Sequence, residues 1–276
     1  MRHEKHDPEK WQLLFGTTQK RGKRGRKGSG MDTAIKAEWY DLEDADRDEF
    51  IEWLHATHLP ALQARPGVIW VGHYDRAPDR GSHQRPGAPP RVETSDPDVA
   101  KGSQYLLVTA AASPDVFFDP NLSDEQDAAT ASNLARRREH RFAIFVEETR
   151  VSGPDWYRHL PGSGAPPAIQ FGNYQTRTQQ DDIDLGYWYR QMKLPQVTRT
   201  RGCIGARKLV SLAGWAKHGI LYEFMDMEPE EDNFEQRFRD AGLNERWQGR
   251  HVLEIVVHAP RGPHAGRRLW PALESR

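Results

Sequence analysis

His58 is the residue of this chain best suited to moving a proton at neutral pH, because an unperturbed imidazole titrates at about 6.5. It stands four residues after Leu54 and eight after Phe50, at the edge of a helical apolar stripe, so its ring can reach a cavity above a sheet. The bland alternative is a helix-end histidine that caps carbonyls or sits half exposed. His55 lies three residues earlier and could share that face, but no third ligand is fixed by spacing, and no metal is expected. Tyr74 ends a strand beside His73. Adjacent strand residues point to opposite faces, so only one of the two can line a cavity. With a phenol able to hydrogen-bond a carbonyl or phenolate, Tyr74 joins His58 as the expected catalytic pair. His55, His73, Trp39, Trp70, Tyr105 and Phe142 are the expected ligand-binding residues, although aromatics at strand spacing are more often simple packing. His140 and His251 each precede a fourth strand, and a structural habit explains them as well as chemistry does. The acidic run 228–235 suits a helix N-terminus and needs no metal.

Several reaction classes lack their signatures. No G-x-G-x-x-G follows a strand, and there is no P-loop, H-E-x-x-H or G-x-S-x-G, which argues against nucleotide-driven chemistry and serine hydrolysis. The lone Cys203 can form no internal disulfide and suits a reducing compartment. With no apolar run of membrane-spanning length and no secretory h-region, a cytoplasmic protein without a membrane partner is expected. Charge is partitioned: residues 1–30 carry nine Lys/Arg against three Asp/Glu, so the formal net charge of −1 leaves the remainder at −7. The basic leader, residues 1–31, has no apolar periodicity. It reads as a disordered extension ahead of the first strand, and nucleic acid is not an expected partner.

The elements that must position these residues recur at a fixed offset. Trp53, Pro60 and Gly67 match Trp188, Pro195 and Gly202, each W-x6-P-x6-G, 135 residues apart. Phe50, Trp53, Leu54 and Thr57 at helical spacing match Leu185, Trp188, Tyr189 and Met192. Asp46 and Glu49 suit a capped start, while Pro60 and Pro195 should kink or end the final turn. Apolar-polar alternation predicts strands over 35–40 and 169–175. Gly67 and Gly202 then turn the chain into strands over 68–74 and 203–210, and each repeat continues with a third strand, 104–110 or 219–224, and a fourth, 141–148 or 252–258. Second helices are expected over 123–137 and 229–241. The order β-α-β-β-α-β occurs twice. An α+β fold follows: two ferredoxin-like βαββαβ repeats in one chain, 32–150 and 167–260, packed sheet to sheet. A loop insertion over 78–101, a linker over 151–166 with a helical turn near 155–159, and a tail over 261–276 complete the plan. Trp270 in that tail is expected to pack back on the body.

Asp48-Glu49-Phe50-Ile51-Glu52-Trp53, running through His58-Leu59-Pro60 to Pro66-Gly67-Val68, resembles the signature helix of EthD-like proteins in the dimeric α/β-barrel superfamily. The resemblance implies a barrel of two ferredoxin-like units with a ligand cavity between sheet and helices in each. The second repeat departs from the motif, with Lys193 at the position of His58, so only the N-terminal cavity is expected to be active. Superfamily members include aromatic-degradation proteins, polyketide cyclases and monooxygenases, haem enzymes, and stress-induced proteins without assigned catalysis. Three functions follow as expectations. The first is cofactor-free acid-base chemistry on a small aromatic or polyketide-like molecule. The second is a non-catalytic ligand-binding or stress-related barrel, and the third is a haem protein with His58, His140 or His251 as axial ligand. As the fused repeats cover one another, the chain is expected to be a monomer or a homodimer.

Overall fold

The computed structural model describes residues 31–77, 91–118, 127–160, 162–226 and 254–273. The expected leader, most of the 78–101 loop and the helix over 229–241 therefore lie outside the described residues.

Strand β1 (Ala34–Asp41) leads to helix α1, which runs without a break through Arg47–Trp53, a π-helical turn Leu54–His58, and Leu59–Gln63. Strands β2 (Val68–Asp75) and β3 (Tyr105–Ala111), short helices α2 (Asp115–Phe118) and α3 (Ala128–Leu134), and the long strand β4 (Arg138–Ser152) complete the first half. A 3-10 turn at Trp156–Arg158 leads to β5 (Ala168–Thr176). Helix α4 follows as Gln179–Trp188, a π-turn Tyr189–Lys193 and Leu194–Val197, and then β6 (Cys203–Ala213) and β7 (His218–Phe224). Two further strands, β8 (Val256–His258) and β9 (His264–Trp270), end the described chain.

Every ladder is antiparallel, and the strands form a closed ring. The first half contributes the order β4-β1-β3-β2 and the second β9-β5-β7-β6; β4 pairs with β6 and β2 with β9 at the two seams. Eight strands thus close a barrel and leave no edge within the ring. Inside it, Ile35, Trp39, Trp70, Phe145, Phe171 and Leu221 form one buried cluster. Removing each of these from water contributes roughly 1.5–3 kcal/mol. The opposite face of the first-half sheet is covered by α1, whose Phe50, Leu54 and Leu59 pack on Tyr40, Val71 and Leu107. No described helix is long and apolar enough to cross a membrane.

The structure departs from the sequence reading at several points; among them, the helix expected over 123–137 spans Ala128–Leu134 within the described residues, and β4 and β6 run longer than expected. The fourth strand of the second half is β9, inside the expected tail. The segment Val256–His258 pairs only with β5 among the strands and stands outside the ring. The reason is steric and local: Gly266 lets β9 approach β2, since a Cβ there would lie 1.6 Å from the Asp75 carbonyl oxygen. Pro60 and Pro195 do not end their helices, because each follows a π-turn that has already widened the backbone. Thr57, expected on the buried stripe, is exposed, and Leu59 takes that place. Asp46 makes no side-chain cap; its carboxylate accepts from Arg136 at 3.1 Å instead. The second half does carry a complete capping box, between Thr178 and Asp181.

Replacing Gly266 by Ala should therefore destabilise the fold by about 1–3 kcal/mol or more, the usual cost of overpacking. Urea denaturation measures it, and a wild-type midpoint in the variant would sink this account of barrel closure.

Candidate functional site

The site begins with the spacing of α1. Its buried residues Phe50, Leu54 and Leu59 are separated by four and then five positions, whereas an unbroken α-helix would repeat at three or four. The Leu59 N–H donates to the Leu54 carbonyl, five residues back, so one extra residue is accommodated in this turn. As a result Trp53 and His58, five apart, stack with ring centroids 5.4 Å apart and 24° between planes. In a regular helix, at about 100° per residue, they would point to different sides. The same device recurs in α4, where Lys193 Nζ sits 5.9 Å from the Trp188 ring centroid.

His55 occupies the same π-turn and reaches the sheet. Its Nε2 lies 2.8 Å from Nδ1 of His73 on β2, and His73 Nε2 lies 2.8 Å from the hydroxyl of Tyr40 on β1. The chain of three runs from a half-buried imidazole to a fully buried phenol. Tyr105 closes it from β3, its ring centroid 5.2 Å from that of His73. Burial, with His55 and His264 adding to it, holds His73 well below the ordinary imidazole value, and burial also lowers His55. Burial raises Tyr40 well above the ordinary phenol value, against the pull of the Arg137 guanidinium over its ring. At neutral pH every member is uncharged.

His58 makes no hydrogen bond to any described residue. Burial lowers its pKa; Glu38 opposes that shift, while Arg137, Arg65 and Lys36 reinforce it. Glu38 in turn is buried on β1 and contacts Arg137 at 3.0 Å, His140 at 3.2 Å and Lys36 at 3.4 Å. Burial pushes this carboxyl up, but its cationic partners outweigh burial and hold it well below the usual carboxylate range. Glu38 is therefore a fixed negative charge near His58, and the proton-accepting groups are the neutral imidazoles.

Of the residues singled out from sequence, the structure brings His55, His58, His73 and Tyr105 together in the layer between α1 and the sheet. It places Tyr74, Trp39 and Trp70 on the other face, inside the barrel. There the Tyr74 hydroxyl donates to the Pro166 carbonyl at 3.0 Å and Trp70 Nε1 to Asp32 at 2.6 Å. His58 and Tyr74 are thus on opposite sides of one sheet and cannot share a reaction. Phe142 is 45% exposed on β4, with Lys36 Nζ 5.7 Å from its ring centroid. Sequence reasoning missed Tyr40, Glu38 and Arg137. The signal was present in β1, where Lys36, Glu38 and Tyr40 alternate with the apolar Ile35, Ala37 and Trp39 and so share the helix-facing side.

The second half carries a different set at matching places. Lys208 stands 135 residues after His73 and is buried. Its Nζ lies 3.0 Å from His218 Nδ1 and 3.2 Å from Glu148 Oε2. An ammonium has only hydrogens to offer, so His218 accepts at Nδ1 and donates from Nε2 to Asp182, 2.7 Å away. Tyr174 donates to Tyr189 at 2.6 Å. In this chain each polar end is bound by a charged partner.

No family model matches the chain, and no curated protein matches it. Solved structures with the same architecture do. A protein described as anthrone oxidase-like is 11% identical, with a TM-score of 0.50 over 87% of this chain and 93% of its own. A candidate monooxygenase from Fusobacterium nucleatum is 8% identical, with a TM-score of 0.50 over 86% and 92%. Both are barrels of the dimeric α/β-barrel superfamily, and at such identity the likeness speaks for the fold alone.

The haem expectation has a direct test in the packing. His140 is committed to Glu38, His251 lies outside the described residues, and His58 lies flat against Trp53. Behind His58 the layer is filled by Tyr40, Phe50, Leu54 and Leu59, all buried. These residues of the first half do not fit a porphyrin.

Buried neutral histidines make folding sensitive to acid. Burial takes His258 down to about 4 and His264 to about 3, against 6.5 for the free imidazole. The unfolded chain therefore binds protons that the folded chain refuses, so stability is full above pH 6.5 and falls as pH drops towards 4 and 3. Urea midpoints measured from pH 7.5 to 4 should decline from about pH 6.5 downward. A flat profile across that range would refute the assignment.

Proposed function

We propose that the chain is a tandem pair of ferredoxin-like units of EthD-like type that works as a cofactor-independent acid-base enzyme. Its substrate is a small aromatic or polyketide-like molecule, and its site is in the first half only. The observation that carries this reading is His58: an imidazole whose pKa is lowered by burial, without a hydrogen bond to any described residue, and set by a π-turn beside an aromatic ring and a fixed carboxylate. A neutral imidazole accepts a proton at physiological pH without first losing one. Trp53 offers aromatic surface against it, and Lys36 and Arg137 offer positive charge to an oxyanion that forms when the proton leaves. Tyr74 has no part in this reading, because it faces the barrel interior. The α4 layer has Lys193 where His58 stands, and its polar chain ends on Asp182.

One observation favours a second reading, a ligand-binding barrel without catalysis. The layer behind the imidazoles is closed by Phe50, Leu54 and Leu59, so a molecule would bind on a shelf beside α1 instead of inside a deep cavity. Binding without turnover would select this alternative.

Against a panel of hydroxylated aromatics and enol-lactones, His58→Ala should lower kcat/KM by roughly 10²–10⁴, the usual weight of a general base. Parent activity should hold at neutral pH and fall on the acid side, below the ordinary imidazole value, as His58 takes up a proton. No turnover by the parent on any panel member, or full activity in the variant, would dismiss the catalytic reading.

A further inference from the structure

We infer that the hydrogen bonds from Tyr40 through His73 to His55 run in one direction only, which makes His55 a hydrogen-bond donor towards a ligand oxygen and leaves His58 as the base. The inference deepens the acid-base reading and rests on it for its chemical meaning, but the direction of the chain follows from the buried groups alone.

Among the described residues the Tyr40 hydroxyl has one hydrogen-bond partner, His73 Nε2 at 2.8 Å, and its side chain is wholly buried. His73 is equally buried, and among the described residues its second nitrogen has one partner, His55 Nε2 at 2.8 Å. A neutral imidazole carries one N–H and one lone pair, so this chain has two self-consistent forms. In the first, Tyr40 donates to His73 Nε2, and His73 donates from Nδ1 to His55 Nε2. In the second every bond is reversed, and the Tyr40 hydrogen is left buried with no acceptor among the described residues. An unsatisfied buried donor disfavours its state by an order of magnitude or more in population, so the first form prevails. His55 then accepts at Nε2, and its single proton sits on Nδ1, which no described residue engages.

The consequence is a division of labour across one π-turn. His55 offers an N–H and His58 offers a lone pair, from positions three residues apart in Leu54–His58. A ligand that matches both carries a carbonyl or phenolate oxygen close to an acidic hydrogen, as an enolisable ketone or an ortho-hydroxyaryl ketone does. The oxygen would take the His55 hydrogen bond while the acidic proton passes to His58. No oxidant or other co-reactant enters that step. Protonating His55 would require a second hydrogen, on Nε2, facing the His73 N–H. The chain therefore resists making His55 a second base. Tyr40 and His73 are positioning residues, and neither touches the ligand.

Nitrogen-15 NMR of histidine-labelled full-length protein near pH 7.5 tests the inference without any substrate. His55→Gln and His73→Gln spectra assign the two rings. Both are expected to carry their proton on Nδ1, and a His55 ring protonated on Nε2 overturns the proposal. Tyr40→Phe removes the donor that sets the direction, so that either form leaves one unpaired position at His73 Nε2, a lone pair or an N–H; the preference should narrow, and the Nε2-protonated fraction of His55 should rise above that of the parent. An unchanged His55 tautomer in a folded Tyr40→Phe variant also overturns it. Should that variant fail to fold, the parent spectrum decides alone. Absence of turnover on the panel would remove the acid-base reading while leaving the tautomer result standing, so the two can fail separately.

Discussion

The guanidinium of Arg207 is the charge around which the barrel closes. It sits on β6 with no exposed surface, two residues before Leu209 of the interior cluster, and bonds to groups from three other parts of the ring. Its Nε meets Glu147 of β4 at 2.9 Å. Its other nitrogens reach the Asp32 carboxylate, also at 2.9 Å, and the carbonyl of the same residue just ahead of β1. Glu223 of β7 lies 3.6 Å away, and Arg150 of β4 shares both Asp32 and Glu147. Burial raises the Asp32 carboxyl, but Arg207 and Arg150 more than offset it and keep the group ionised. Removing one member of such a set strands the others as uncompensated buried charges, at a cost of about 3–5 kcal/mol. The network belongs to one of the two seams, where β4 and β6 from different halves of the chain meet.

Closure decides what each sheet face can do. The inner face is committed to packing, so Trp39, Trp70 and Tyr74 spend their aromatic surface and their polar tips on the barrel itself. Only the outer face, under α1 or α4, is left for chemistry. There, the depth at which a helix side chain sits is set by the π-turn. Without the extra residue, Leu54 and Leu59 could not both face the sheet, and His58 would not lie on Trp53.

Much of this was legible in the sequence. The sequence reading located β1, β2, β3, β5 and β7 to within one residue at either end: alternation marked β1 and β5, the glycine turn at Gly67 marked the start of β2, and the repeat order placed β3 and β7. The W-x6-P-x6-G landmark marked both helices, and its proline was informative in a way helix rules do not capture: it follows a π-turn instead of a break. The apolar spacing of four and then five contained that turn for anyone counting it. β9 left no such trace. His264-Ala265-Gly266-Arg267-Arg268-Leu269-Trp270 has no apolar alternation, and it is a strand because β2 and β5 both present open edges that it can satisfy. The candidate site was half legible. Histidine type and helical spacing pointed to His55 and His58, while Tyr40 and Glu38 became visible only once β1 had a defined helix-facing side. Tyr74 was misjudged because strand alternation does not say which face turns outward.

The two halves share strand order, helix shape and the glycine turns at Gly67 and Gly202, yet they furnish the outer layer with opposite chemistry. In the first half the polar chain is neutral throughout, and its outer end is an imidazole with a nitrogen to spare. In the second, Lys208 forces His218 to donate outward, and Asp182 receives that hydrogen together with bonds from Thr176 and Lys217. A chain that begins on an ammonium and ends on a carboxylate is held in place at both ends. A chain that begins on a buried phenol has no charge to terminate it, so the direction imposed at Tyr40 is carried to the surface at His55. The difference between the two layers therefore comes down to a few substitutions on the same scaffold, His73 against Lys208 and His58 against Lys193.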